Sequence, residues 1–184
     1  MSKSRPVYAP FHLDFSARAH LIVTDQALPP EEADLALANI EAWTVQTIAP
    51  GVAAPATANV RAFRAKAALL SHLEHRLANE TMGLRLYALG AEAFLWDVYN
   101  LAAVTGMGRT EIFLTQAGPL TRRVYCTHCK TILEDVSQNI APCSGCGAQL
   151  FVRDHFSRRL AAFMGVKVDA EVPGEIPLPE VFTS

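Results

Sequence analysis

Tyr125-Cys126-Thr127-His128-Cys129 and, thirteen residues further on, Cys143-Ser144-Gly145-Cys146-Gly147 contain every cysteine of the chain. Two thiolates separated by two residues reach one ion from the tip of a tight turn, and two such turns facing each other give a tetrahedron of sulfur. Gly145 and Gly147 permit the close backbone approach that such a turn needs. A module this small obtains from a metal the folding free energy that a few apolar residues cannot supply. The spacing therefore predicts a four-cysteine zinc ribbon with Cys126, Cys129, Cys143 and Cys146 as ligands.

Zinc in that cage is structural, because four thiolates leave no position open for a substrate. Iron in the same cage would carry electrons, and a two-iron cluster needs another ligand spacing. The thirteen-residue gap is short for a rubredoxin-type iron site and ordinary for a zinc ribbon. His128 lies between the first two cysteines and is an alternative ligand, although a surface residue of the turn is the simpler reading.

Outward from the cysteines, Arg122–Tyr125, Thr131–Leu133 and Gln149–Val152 read as the arms of two hairpins. Asp154 then starts a short helix in which Phe156, Leu160, Phe163 and Met164 share a face and which Gly165 ends. Asp154, His155, Arg158 and Arg159 make a polar cluster beside it. They suit docking of a protein partner, or the arginines offset the charge of a four-thiolate centre. Residues 168–184 hold three prolines and four acids and read as an extended arm.

Upstream, strand and helix patterns alternate. His20–Thr24 reads as a buried strand, Ala33–Ile40 as a helix opened by Pro29 and Pro30, and Trp43–Ile48 as a strand. Helical spacing of Phe63, Ala67, Leu70, Leu73 and Leu77 predicts a long helix from Asn59 or Val60 to Asn79. Leu84–Leu89 is a strand closing at Gly90, Glu92–Thr105 a helix, and Glu111–Thr115 a strand. The alternation predicts a three-layer α/β domain with a mostly parallel sheet. Three parts follow: an α/β Rossmann-like domain over 1–118, a zinc-ribbon module with a terminal helix over 119–167, and the arm over 168–184.

The totals narrow the function. A net charge of −2 over 184 residues gives no reason to expect nucleic acid, and neither part of the chain is a polyelectrolyte. No run approaches the length needed to span a bilayer, and His12, Asp14, Arg18 and His20 break any leader-like apolar segment. A cytoplasmic protein is expected, where paired C-x-x-C motifs bind metal more readily than they form disulfides. Gly90-Ala91-Glu92 sits where an α/β sheet binds phosphate, but neither G-x-G-x-x-G nor a P-loop occurs. His72 and His75 read as solvated helix residues. With no G-x-S-x-G and no carboxylate pair, autonomous catalysis lacks its usual parts.

The ordered set Tyr125–Cys129, Pro142–Gly147 and Leu150–Gly165, with Asp154-His155-Phe156-Ser157-Arg158-Arg159 inside it, closely resembles the C-terminal part of the DmmA family, a subunit of bacterial dimethylamine monooxygenase. The resemblance covers the last third of the chain. It implies a part in a cytoplasmic complex that removes a methyl group from dimethylamine, giving methylamine and formaldehyde with dioxygen and NADPH. Haem, flavin and iron–sulfur centres would then belong to companion subunits.

Leu84–Gly90, the helix after it and Thr110–Gln116 resemble the last strand–helix–strand of the nicotinamide-binding half of ferredoxin reductases. Where those enzymes commonly have Cys-Gly-Pro, this chain has Leu89-Gly90-Ala91, so no nucleotide-binding residue carries over. Two functions are thus expected: an accessory zinc-binding subunit that assembles catalytic and reductase components, or an electron-transfer subunit with iron at the cysteines or a flavin or nicotinamide on the sheet.

Overall fold

Leu21, Ile22 and Val23 are fully buried, because the strand that carries them is covered on both faces. The computed structural model describes residues 4–26, 40–45 and 60–183. They fall into two compact units, Tyr8–Gly118 and the described residues of Met1–Val7 with Pro119–Ser184.

In the first unit β1 (Ala19–Thr24), β2 (Ile40–Val45), β3 (Val60–Phe63), β4 (Leu84–Gly90) and β5 (Ile112–Gln116) form a sheet of order β3-β2-β1-β4-β5. All four pairings are parallel, as the alternation of strands and helices requires. The strand order reverses between β1 and β4, the point where doubly wound sheets open a crevice.

Helices α1 (Lys66–Ala78) and α2 (Glu92–Val104) cover one face of this sheet. Leu69, Leu73 and Leu77 of α1 and Phe94, Leu95 and Val98 of α2 meet Leu21, Val23, Trp43, Leu86 and Ala88 from the strands. Each large apolar side chain buried in this way contributes roughly 1.5–3 kcal/mol. On the opposite face Ile22, Ala42, Tyr87 and Leu89 receive Phe11 and Leu13. The Asp14 backbone N–H donates to the Tyr87 hydroxyl at 2.9 Å, and Arg85 pairs with the Asp14 carboxylate at 3.0 Å, which pins the N-terminal segment.

The long helix expected from Val60 begins six residues late. Val60–Phe63 is instead an edge strand, with Val60 opposite Ala42 and Phe63 opposite Val45. The four-residue interval from Phe63 to Ala67 imitates helical spacing. Burying Phe63 against Trp43, ring centroids 5.4 Å apart, outweighs that local pattern. His72 and His75 are exposed on α1. The helix expected over Ala33–Ile40 lies outside the described residues apart from Ile40, which opens β2.

The second unit is all β. Strands β6 (Arg122–Cys126), β7 (Ile132–Val136), β8 (Ile140–Pro142), β9 (Gln149–Ser157) and β10 (Ala162–Lys167) form a sheet of order β7-β6-β10-β9-β8. The hairpins β6–β7 and β8–β9 carry the two cysteine turns, and β10 joins them, parallel to β6 and antiparallel to β9.

The terminal helix expected from Asp154 to Gly165 is a β-hairpin. Leu150, Val152 and Phe156 are buried at even spacing on β9, the period of a strand. Arg158–Ala161 make the turn, with Ala161 in the left-handed region at φ 50°. Phe163 on β10 lies opposite Phe156, ring centroids 4.9 Å apart. Gly165 ends no helix: a Cβ there would stand 2.7 Å from Val124 Cγ1 and 3.0 Å from Leu150 Cδ1, so the middle of the sheet closes only over glycine.

Among the described residues no helix is long and apolar enough to cross a membrane.

Candidate metal centre

The two cysteine turns repeat one backbone design. In the first, the Lys130 N–H donates to the Cys126 carbonyl at 3.0 Å and the Cys126 N–H to the Thr131 carbonyl at 2.9 Å. In the second, the Gly147 N–H donates to the Cys143 carbonyl at 2.8 Å and the Cys143 N–H to the Ala148 carbonyl at 2.9 Å. The fifth residue of each turn has positive φ, 70° at Lys130 and 73° at Gly147, which folds the chain back so that both sulfurs of a pair face inward. Gly147 takes that conformation without the strain a Cβ brings.

The four ligand atoms lie within 4.8 Å of one another. Cys129 Sγ is 3.5 Å from Cys143 Sγ, and Cys126 Sγ is 4.0 Å from Cys146 Sγ. A tetrahedral ion with metal–sulfur bonds of about 2.3 Å sets its sulfurs about 3.8 Å apart, so the four side chains fit one ion. Gly145 makes room for the cage: a Cβ there would lie 2.1 Å from Thr131 Oγ1 and 3.2 Å from Cys129 Sγ. Cys126 and Cys143 are buried, Cys129 half-buried and Cys146 exposed, so one corner of the cage meets solvent. His128 is exposed and stands outside the ligand group.

The sulfurs are not equivalent. The Thr131 hydroxyl, 3.2 Å from Cys129 Sγ, and the Thr131 backbone N–H hold the Cys129 thiol down to about 6. The Ala148 backbone N–H favours the Cys146 thiolate, but desolvation and the neighbouring sulfurs together carry Cys146 up to about 12. A cation bound there would let four thiolates share so small a volume. Thr131 was not legible as part of the site; its place two residues after Cys129 was the available signal.

The model described as dimethylamine monooxygenase subunit DmmA-like, C-terminal domain, matches residues 123–166, and its N-terminal-domain counterpart matches residues 1–112. The chain belongs to the DmmA-like family. The "Heme-dependent oxidative N-demethylase delta subunit" of Ectopseudomonas mendocina (strain ymp) is 35% identical over 158 residues, which are 86% of this chain and 84% of that protein. Among solved structures, phthalate dioxygenase reductase, described as a modular structure for electron transfer from pyridine nucleotides to [2Fe-2S], matches with a TM-score of 0.47 at 10% identity. That match covers 95% of this chain and 66% of the other.

In this DmmA-like chain an acidic side chain stands at the switch point, beside the start of α2. Asp25 follows β1, and its Oδ1 accepts the Ala91 backbone N–H at 3.2 Å, at the start of α2. Its carboxylate fills the space beside Gly90 so closely that a Cβ there would lie 1.8 Å from Oδ1. Gln26 Nε2 donates to the same oxygen at 3.1 Å. Glu92, in the first turn of α2, is buried and accepts the Tyr8 hydroxyl at 2.7 Å. A helix start in this position is where a phosphate would be held, and here two side-chain carboxylates stand at it. Burial raises the Asp25 carboxyl above its ordinary 3.8.

Because the folded state holds the Asp25 proton more tightly than the unfolded one, its contribution to stability is present at low pH and is lost as pH rises through the folded value. Asp25→Asn, which keeps an acceptor for the Ala91 N–H, is therefore expected to be at least as stable as the parent at pH 7. Its advantage should shrink as pH falls toward 3.8. Urea midpoints at several pH values measure this, and a larger advantage in acid would contradict it.

The four polar residues read as a docking cluster do not act alike. Asp154 faces Arg122 of β6, Nη2 to Oδ1 at 2.9 Å, with Arg5 Nε at 3.8 Å, so its carboxylate is engaged within the unit. His155 is exposed on β9, and Arg158 and Arg159 are exposed in the turn before β10.

Proposed function

We propose that this chain is an accessory subunit of a multi-component oxidative N-demethylase, held in shape by a structural zinc ion and acting by assembling the catalytic and reductase components. The observation that carries this reading is the cluster of four sulfurs within 4.8 Å of one another: a tetrahedral ion held by all four would have no position open for substrate or dioxygen. The 35% identical relative named as a delta subunit supports membership in a complex.

On this reading the complex converts dimethylamine, dioxygen, NADPH and a proton to methylamine, formaldehyde, NADP+ and water. The same reading assigns haem, flavin, iron–sulfur centres and the NADPH site to companion subunits, in the cytoplasm. His155, Arg158 and Arg159 remain candidates for contact with those subunits.

The alternative is an electron-transfer subunit with iron in the cage or a cofactor on the sheet. The Asp25 and Glu92 carboxylates at the start of α2 speak against a nucleotide there. Metal analysis and the visible spectrum of the purified chain decide between the two. One zinc per chain and no visible band are expected; a red protein with stoichiometric iron that bleaches on reduction would overturn the structural role.

A further inference from the structure

Residues 168–184 carry four acids, Asp169, Glu171, Glu175 and Glu180, and no Lys or Arg. They also hold Pro173, Pro177 and Pro179, which restrict the backbone and remove three N–H donors. Among the described residues this stretch concentrates exposed apolar side chains: Val172, Ile176, Leu178 and Val181 all face solvent, Leu178 with 88% of its surface. Single exposed apolar residues need no explanation, whereas four within ten positions mark a contact surface.

The stretch is tied down on both sides of those residues. At its start the Val168 N–H donates to the Gln149 carbonyl at 2.9 Å, and the Gly174 N–H reaches Asp169 Oδ2 at 3.3 Å. At its end Asn139 clamps the Glu180 backbone twice, its N–H donating to the Glu180 carbonyl at 2.9 Å and its Oδ1 accepting the Glu180 N–H at 2.8 Å. The Phe182 N–H donates to the Ser137 carbonyl at 3.1 Å, and the Arg122 guanidinium lies 4.0 Å from the centre of the Phe182 ring. Ile176 and Leu178 thus sit on a proline-stiffened bow whose ends are already fixed, so little ordering entropy is left to lose on binding.

We infer that Ile176-Pro177-Leu178-Pro179 is a docking strap that enters an apolar groove rimmed by lysine or arginine on a companion protein subunit. This rests on the reading of the chain as a member of a demethylase complex and names the surface by which it joins. The acids flanking the strap select the basic rim, and prolines flanking apolar residues suit a groove that reads an extended segment.

The test co-expresses the full tagged chain with the other subunits of its demethylase and measures how much of each is retained. Ile176→Asp with Leu178→Asp should cut retention at least tenfold, while the zinc content and melting temperature of the isolated chain stay as in the parent. Glu175→Lys should weaken retention in the same direction. Val104→Asp, an equally exposed apolar site at the end of α2, should leave it unchanged. Undiminished retention of the double variant would overturn the strap. So would an isolated parent chain that sediments as a dimer and a double variant that sediments as a monomer still holding its companions, since the occupant would then be a second copy. Retained companions without N-demethylase activity would overturn the functional reading and leave the strap standing; a parent chain that retains no companion would overturn both.

Discussion

If the proposed structural zinc is held by the four cysteines, Cys143→Ser is expected to leave the chain with almost no bound zinc and to unfold the ribbon sheet. Cys143 is buried, and its sulfur lies 3.5 Å from that of Cys129, so the serine removes a ligand from the closed side of the cage. A structural zinc supplies roughly 10–16 kcal/mol of apparent binding free energy that is also folding free energy. Losing one of four ligands removes enough of it to exceed what the small apolar core around Leu150, Val152 and Phe163 can replace. Amide hydrogen exchange should show protection lost at Leu150, Val152 and Phe163. Protection should persist at Leu21, Ile22 and Leu86, whose strands are held by parallel ladders of their own. Zinc content equal to the parent's would refute the ligand assignment.

The parts of the molecule that were legible in the sequence are those where local pattern and tertiary burial agree. β1, β4 and α2 are long apolar elements bounded by Asp25, Gly90 and Gly106, and their bounds follow the residues. The cysteine turns were legible because ligand spacing is a geometric requirement of the ion and hardly depends on the rest of the fold. Two elements were misread where periods compete. Phe63, Ala67 and Leu70 have helical intervals, yet Phe63 belongs to an edge strand. Phe156, Leu160 and Phe163 also have helical intervals, but Leu150, Val152 and Phe156 alternate, and the sheet takes the second pattern because β10 completes it on both sides.

The switch point shows the limit from another direction. The absence of a glycine-rich phosphate motif was legible, whereas the carboxylate that meets the start of α2 was not. That contact joins Asp25 and Ala91, which lie 66 positions apart and meet only because β1 and β4 are neighbours.

Asp154→Ala is expected to lower the stability of the ribbon unit by about 2 kcal/mol, within the range for loss of one charge-assisted hydrogen bond at a half-buried carboxylate. Arg122 is only 7% exposed, and its guanidinium carbon lies 4.2 Å from the Phe163 ring centre and 4.0 Å from that of Phe182. Those faces attract the cation but accept no strong hydrogen bond. The 2.9 Å contact with Asp154 is a charge-assisted hydrogen bond, and the alanine removes it. A unit of this size would melt on the order of 10 °C lower. Arg122→Met combined with Asp154→Leu removes the charge and the carboxylate together, and should therefore cost less than Asp154→Ala alone. Thermal melts of the three variants decide between a folding role and the docking role first read from the sequence. If Asp154→Ala melts with the parent but loses its companion subunits, the carboxylate serves a partner; if it melts lower and the double variant recovers, its work lies inside the ribbon, where it holds the cation against which Phe182 and the end of the acidic arm are seated.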